Sequence, residues 1–136
     1  MKTKAMLESL LVRDYMVGDT LAFTPDTPVL KAIHKLIQHE LTGAPVIDTA
    51  GRVIGFLSEK DCMKASLSAS YYEDQGGRVE DVMTRSVISL QTDDSLMKAV
   101  ELFLAQPFRC YPVVNDSRLV GQLSRRCVLK AMEKLW

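Results

Sequence analysis

The sequence predicts a mixed α+β (α/β mixed) fold of two pseudo-symmetric β-α-β-β-α repeats packed through their sheets. The first observation is that strand-like and helix-like apolar patterns follow one another in the same order in each half. The second is register. Arg13-Asp14-Tyr15-Met16 matches Glu80-Asp81-Val82-Met83, an offset of 81 − 14 = 67 that persists through Lys31-Ala32-Ile33 and Lys98-Ala99-Val100. It reaches Pro45-Val46-Ile47-Asp48 and Pro112-Val113-Val114-Asn115; one residue then drops out near Gly51, and Gly55 meets Gly121 (121 − 55 = 66). The third is size. Each half, at about sixty residues, is too small to bury a sufficient core alone, so the halves are expected to pack together and leave two related clefts.

Leu7, Leu10 and Leu11 have helical spacing, so residues 1–11 are assigned to an N-terminal helix. A short strand is expected over Thr20-Leu21-Ala22-Phe23. Thr27 and Pro28 read as the N-cap and first residue of a helix with Val29, Ile33, Leu36 and Ile37 on its buried face and Gly43 at its end. Ala44 to Asp48 and Arg52 to Leu57 form a hairpin around the turn Thr49-Ala50-Gly51. A second helix runs from Ser58 to about Leu67. This programme is one repeat, residues 12–67. Polar, glycine-terminated residues 68–78 read as a linker that includes Tyr71 and Tyr72, and residues 79–136 repeat the programme.

Composition narrows the function. Lys+Arg 17 balance Asp+Glu 17, so no basic field argues for nucleic acid as the main partner. No apolar run approaches the roughly eighteen residues of a membrane span, and Glu8 interrupts the N-terminus before a signal sequence develops. No membrane partner is expected. Three cysteines without paired or metal-type spacing point to a reduced, cytoplasmic setting, and His34 and His39 lack partners at metal-ligand spacing. Cys62 reads as core. Cys127 reads either as a redox-sensitive thiol at a helix start or as inert, and the inert reading is preferred.

The chemistry gathers at Gly55-Phe56-Leu57-Ser58-Glu59-Lys60-Asp61 and its echo Gly121-Gln122-Leu123-Ser124-Arg125-Arg126-Cys127. Each serine stands between a strand and a helix, where it caps the helix and faces whatever lies beyond it. Asp61, one turn on, adds a carboxylate. Two readings stand. Ser58 and Asp61 form a capping box, or they hold a ligand that has both an anionic group and a diol. Arg125 and Arg126 sit in a first turn where the helix dipole disfavours cations, so they either await an anion or face solvent.

The duplicated pattern resembles the tandem cystathionine-β-synthase (CBS) domain pair, or Bateman module. The marks are the two Asp-x-Met sequences, Ala44-Pro45-Val46-Ile47-Asp48 with Tyr111-Pro112-Val113-Val114-Asn115, and Gly-x-x-Ser-x-x-Asp ending at Asp61. The resemblance implies an adenine nucleotide in the cleft between repeats, with Ser58 at its phosphates and Asp61 on its ribose hydroxyls. It implies Phe56, Val87 and Ile88 around the adenine and Arg109 at the phosphates. A possible second site comprises Ser124, Arg125, Arg126, Thr20 and Leu21. There Cys127 replaces the aspartate and Thr42 stands where the first site has Arg109, so a ribonucleotide is expected to bind the first site better.

The function expected from the resemblance is a stand-alone regulatory module. It would bind AMP, ADP, ATP or an S-adenosylmethionine-like ligand, AMP or ATP foremost, and relay that binding to a separate target protein. The alternative is an interaction module that dimerises without ligand. A homodimer is expected, through residues 28–41 and 95–106 or through the last helix of each repeat. No cofactor is required and no metal is expected. No Ser/His/Asp set, Cys/His set or phosphate loop is present in the sequence, so an enzyme is not expected.

Overall fold

Backbone hydrogen bonds decide where each predicted element begins and ends. The computed structural model describes residues 2–72 and 77–135. The chain divides into two units, named by their order in sequence only: an inner one of Leu21–Val87, and an outer one of the flanking segments Met1–Thr20 and Ile88–Trp136. These units are not the sequence repeats, because each takes the segment that carries the Asp-x-Met from the other repeat. Val17 pairs with Gln122 in the outer unit, and Thr84 pairs with Phe56 in the inner one.

The inner unit contains α2 (Val29–Gln38), β1 (Gly43–Ile47), β2 (Val53–Ser58), α3 (Glu59–Tyr72) and α4 (Val79–Val82); α1 (Lys2–Ser9) belongs to the outer unit. β1 and β2 form an antiparallel hairpin over a core of Phe23, Ala32, Leu36, Ala44, Val46, Leu57, Cys62, Val79 and Met83. The hairpin turn is closed by Asp48, whose Oδ1 accepts from the N–H groups of Ala50 and Arg52, each at 2.9 Å. Gly51 supplies the required positive φ of 83°.

The outer unit adds β3 (Leu90–Gln91), α5 (Leu96–Ala105), β4 (Cys110–Asn115), β5 (Arg118–Ser124) and α6 (Arg125–Glu133). β3 runs parallel to β4, and β4 antiparallel to β5. Leu7 of α1 joins a core containing Leu90, Leu96, Phe103, Tyr111, Val113, Leu123 and Val128. Asp116 and Ser117 both take positive φ, 52° and 69°. A two-residue turn of that kind suits the twist of a hairpin, which accounts for the residue missing relative to the first repeat.

Several expected boundaries move. The strand over Thr20–Phe23 is only a single bridge, Phe23 to Val46, whereas the equivalent residue Leu90 begins β3. Thr92 donates its N–H to Val114 O at 3.2 Å, and its counterpart Pro25 has no N–H to give. Pro28, rather than Thr27, occupies the N-cap of α2, and no side chain caps it. Thr27 Oγ1 instead lies 2.9 Å from Thr24 Oγ1. Glu40, with φ 55°, makes the left-handed exit after α2, and Gly43 begins β1. A Cβ on Gly43 would stand 2.6 Å from the Phe56 ring, so close approach explains this glycine. Ile37 is 71% exposed, and Ala32 takes its expected place in the buried face.

Helix α3 continues through Tyr72, so Tyr71 and Tyr72 are helical and not linker. Nothing from Ser68 to Tyr72 breaks a helix: the stretch contains neither proline nor glycine. The rest of the expected linker, residues 73–76, lies outside the described residues, as do Met1 and Trp136.

Candidate functional site

The inner unit builds its candidate site where β2 becomes α3. Asp61 N–H donates to Ser58 Oγ at 3.1 Å, and Ser58 N–H donates to Asp61 Oδ2 at 3.0 Å. These reciprocal bonds are a capping box with aspartate at its third helical position. Ser58 Oγ also donates to Asp61 Oδ2 at 2.9 Å, and Thr84 Oγ1 reaches the same oxygen at 3.4 Å. Among the described residues no hydrogen bond falls on Oδ1. A carboxylate and two hydroxyls therefore gather at the start of a helix, half-buried at Ser58 and Asp61 and exposed at Thr84. Such a cluster can accept the hydroxyls of a diol and present donors to an anion.

Thr84 was not among the expected site residues. Its position follows from two backbone bonds, Phe56 N–H to Thr84 O at 2.8 Å and Thr84 N–H to Phe56 O at 2.9 Å. The signal that could have found it is the Asp-x-Met sequence just before it. Met83 is buried against Gly55, where a Cβ would stand 2.5 Å from its sulfur. The glycine of Gly-x-x-Ser and the methionine of Asp-x-Met therefore fit one another, and that fit carries Thr84 to Asp61.

The outer unit repeats the geometry with different chemistry. Gly121 is equally tight: a Cβ would lie 2.6 Å from Val17 O and 2.8 Å from Met16 Sδ. Ser124 Oγ caps α6 by accepting from Cys127 N–H at 3.1 Å, and donates toward Cys127 Sγ at 3.3 Å. The position of Thr84 is filled by Val17 and that of Phe56 by Gln122. Gln122 is 7% exposed, accepts from Thr20 Oγ1 at 2.6 Å and donates to Cys110 Sγ at 3.2 Å. Both ends of this buried amide are satisfied, as burial demands.

Ser58, Asp61, Phe56 and Val87 belong to the inner unit, whereas Ile88 and Arg109 belong to the outer one. Arg109 is exposed, and its carbonyl accepts from Arg125 N–H at 3.0 Å. Of the second set, Thr20, Ser124, Arg125 and Arg126 are in the outer unit and Leu21 in the inner one. Arg125 Nε donates to Phe108 O at 3.0 Å, which ties that guanidinium to the preceding loop. Arg126 is exposed. Among the described residues no group of three or more His, Cys, Asp or Glu side chains could hold a metal ion. No helix among them is long and apolar enough to cross a membrane.

The sequence profile of the CBS domain matches residues 12–68 and again 79–134. The chain is 30% identical over 118 residues, 86% of its length, to an inosine-5'-monophosphate dehydrogenase of Methanocaldococcus jannaschii. It spans 22% of that protein's length, and 44% and 64% of two further curated relatives. Among solved structures, CBSX2 in complex with AMP superposes with a TM-score of 0.82 at 30% identity, covering 93% of this chain and 98% of that one. The CBS domain pair of protein MJ0100, in complex with 5'-methylthioadenosine and S-adenosyl-L-methionine, shares the fold. Its TM-score is 0.74 at 23% identity, with coverage of 91% and 96%. With the profile matched twice and the fold shared, this chain belongs to the CBS domain family as a tandem pair.

Proposed function

We propose that the chain is a regulatory module that binds an adenine nucleotide, with Asp61 taking the ribose hydroxyls and Ser58 facing the phosphate. The observation that carries the reading is the gathering of Ser58, Thr84 and the Asp61 carboxylate at the start of α3. The likeness to CBSX2 in complex with AMP supports the choice of ligand. Phe56, Val87, Ile88 and Arg109 keep, as proposals, the roles that the resemblance gives them. The outer unit offers no carboxylate at Cys127, so one nucleotide per chain is expected, at Ser58 and Asp61. Relay to a separate target protein and a cytoplasmic setting belong to the same proposal.

A homodimer is part of this reading. Ile37 and its repeat equivalent Leu104 are 71% and 83% exposed, and Met63 and its equivalent Leu129 are 64% and 62% exposed. Ile37 and Met63 also line a cavity of about 430 Å³ between α2 and α3. Exposed apolar side chains recurring at equivalent positions suit a partner with matching faces, and a second copy provides them. An interaction module that binds no ligand would use the same faces. A thermal-shift screen with AMP, ADP, ATP and S-adenosylmethionine separates the two. A ligand at one hundred times its Kd should stabilise the fold by about 2.7 kcal/mol, whereas a flat screen favours the ligand-free module.

A further inference from the structure

The exposed apolar faces of the two units are built alike but carry opposite charge at one end. In the inner unit, Ile37 of α2 and Met63 of α3 line the cavity between those helices together with Glu40 and Glu59. Both charged residues of that lining are acidic. In the outer unit, the repeat register places Leu104 of α5 and Leu129 of α6 at the positions of Ile37 and Met63. Arg125 takes the place of Glu59, Arg109 that of Thr42, and Phe108 that of Leu41. Glu59 lines the cavity beside Leu41, and Arg125 Nε bonds to Phe108 O at 3.0 Å. Each charge therefore stands beside the same apolar position of its own face. Glu59, Phe108 and Arg125 are all exposed. Lys31, Lys60 and Lys64 have Lys98, Arg126 and Lys130 as their equivalents, so these cations are common to both faces.

We propose that, in the homodimer on which this inference rests, unlike faces meet. The acidic α2/α3 face of one copy docks on the basic α5/α6 face of the other. The apolar residues supply area in either pairing and do not choose between them. Charge does choose. Like faces would crowd Glu59 against a second Glu59 and Arg125 against a second Arg125, whereas unlike faces set Glu59 against Arg125. Like charge suppresses the wrong pairing and opposite charge fixes the register of the right one. The cations common to both faces meet like charge in either case and leave the choice unaltered.

Sedimentation of the full chain, without nucleotide, tests the pairing through Glu59→Arg and Arg125→Glu. Each substitution installs the residue that the other repeat already carries at the equivalent helix start, so neither is foreign to that backbone. Each variant alone presents like charge on both faces and should self-associate at least about fivefold more weakly than wild type. Mixed one to one, each variant supplies the complement of the other, and wild-type strength should return. Glu59→Gln and Arg125→Gln, which only neutralise, should each weaken association by a smaller factor; like pairing requires both to tighten it. Raising the salt concentration should weaken the wild-type dimer, because exposed charges are screened. A dimer that tightens on neutralisation, or a mixture no stronger than its separate components, would overturn the pairing and leave the homodimer standing. A wild-type monomer at tens of micromolar, roughly the range of a weak association, would overturn both.

Discussion

At the scale of single residues, the two Gly-x-x-Ser glycines are explained by what a Cβ would strike. At Gly55 the obstacle is the flexible Met83 side chain, but at Gly121 it is the Val17 carbonyl, which is backbone held in a bridge to Gln122. Gly121→Ala should therefore destabilise the fold by about 1–3 kcal/mol, the usual cost of overpacking, and Gly55→Ala by less. Urea unfolding of the two variants measures the order, and equal losses would contradict it. The sequence exposed these glycines through the repeat, but not their reason, because Met83 and Val17 arrive from distant segments. The capping role of Asp61 was legible in its spacing from Ser58. The capping box is present, so Asp61→Ala should cost about 1 kcal/mol of stability as a cap. Thr84 was missed because the Asp-x-Met before it marks the repeat in sequence without showing that Met83 packs on Gly55.

At the scale of elements, periodicity placed α2 correctly but drew its buried face one residue too wide. Leu36, 4% exposed, is core, whereas Ile37 is 71% exposed. Leu36→Ala should cost about 2–5 kcal/mol, and Ile37→Gln should stay within about 0.5 kcal/mol in the monomer; denaturant curves of both variants, at protein concentrations below those of the proposed dimer, check this. The hairpins were read with few errors because Pro45, Gly51 and the paired apolar residues mark them locally. The strand near Phe23 was overread, because a ladder bond missing at Pro25 depends on a partner strand that periodicity does not reveal. In α3, burial first, and then the carboxylates of Asp61 and Glu59, push the Cys62 thiol up to about 11 from its ordinary 9.0. An unfolded thiol loses its proton at lower pH than the folded one. Stability should therefore fall as pH rises from 9 toward 11, and that part of the fall should be absent in Cys62→Ala. Thermal melts across this range, for both proteins, read the difference.

At the scale of the whole molecule, duplication was the most legible property, and the composition of the units the least. The offset of 67 identified two repeats, but the compact units divide at Thr20/Leu21 and Val87/Ile88. Exchange of short segments between repeats leaves the register intact, so alignment alone passes over it. The proposed homodimer, carried by Ile37, Leu104, Met63 and Leu129, should sediment as a dimer at tens of micromolar, roughly the range of a weak association. Lysine in place of both Ile37 and Leu104 should shift it toward monomer; a wild-type monomer would contradict the assignment. Calorimetric titration with AMP of wild type, Asp61→Ala and Cys127→Ala tests most directly whether Asp61 and Ser58 hold an adenine nucleotide. Hydrogen bonds to a charged group contribute about 1.5–3 kcal/mol, so Asp61→Ala should weaken AMP roughly ten- to a hundred-fold while the protein remains folded. Wild type and Cys127→Ala should each bind near one equivalent per chain. Unchanged AMP affinity in Asp61→Ala, two equal sites per chain, or loss of binding in Cys127→Ala alone would contradict the account.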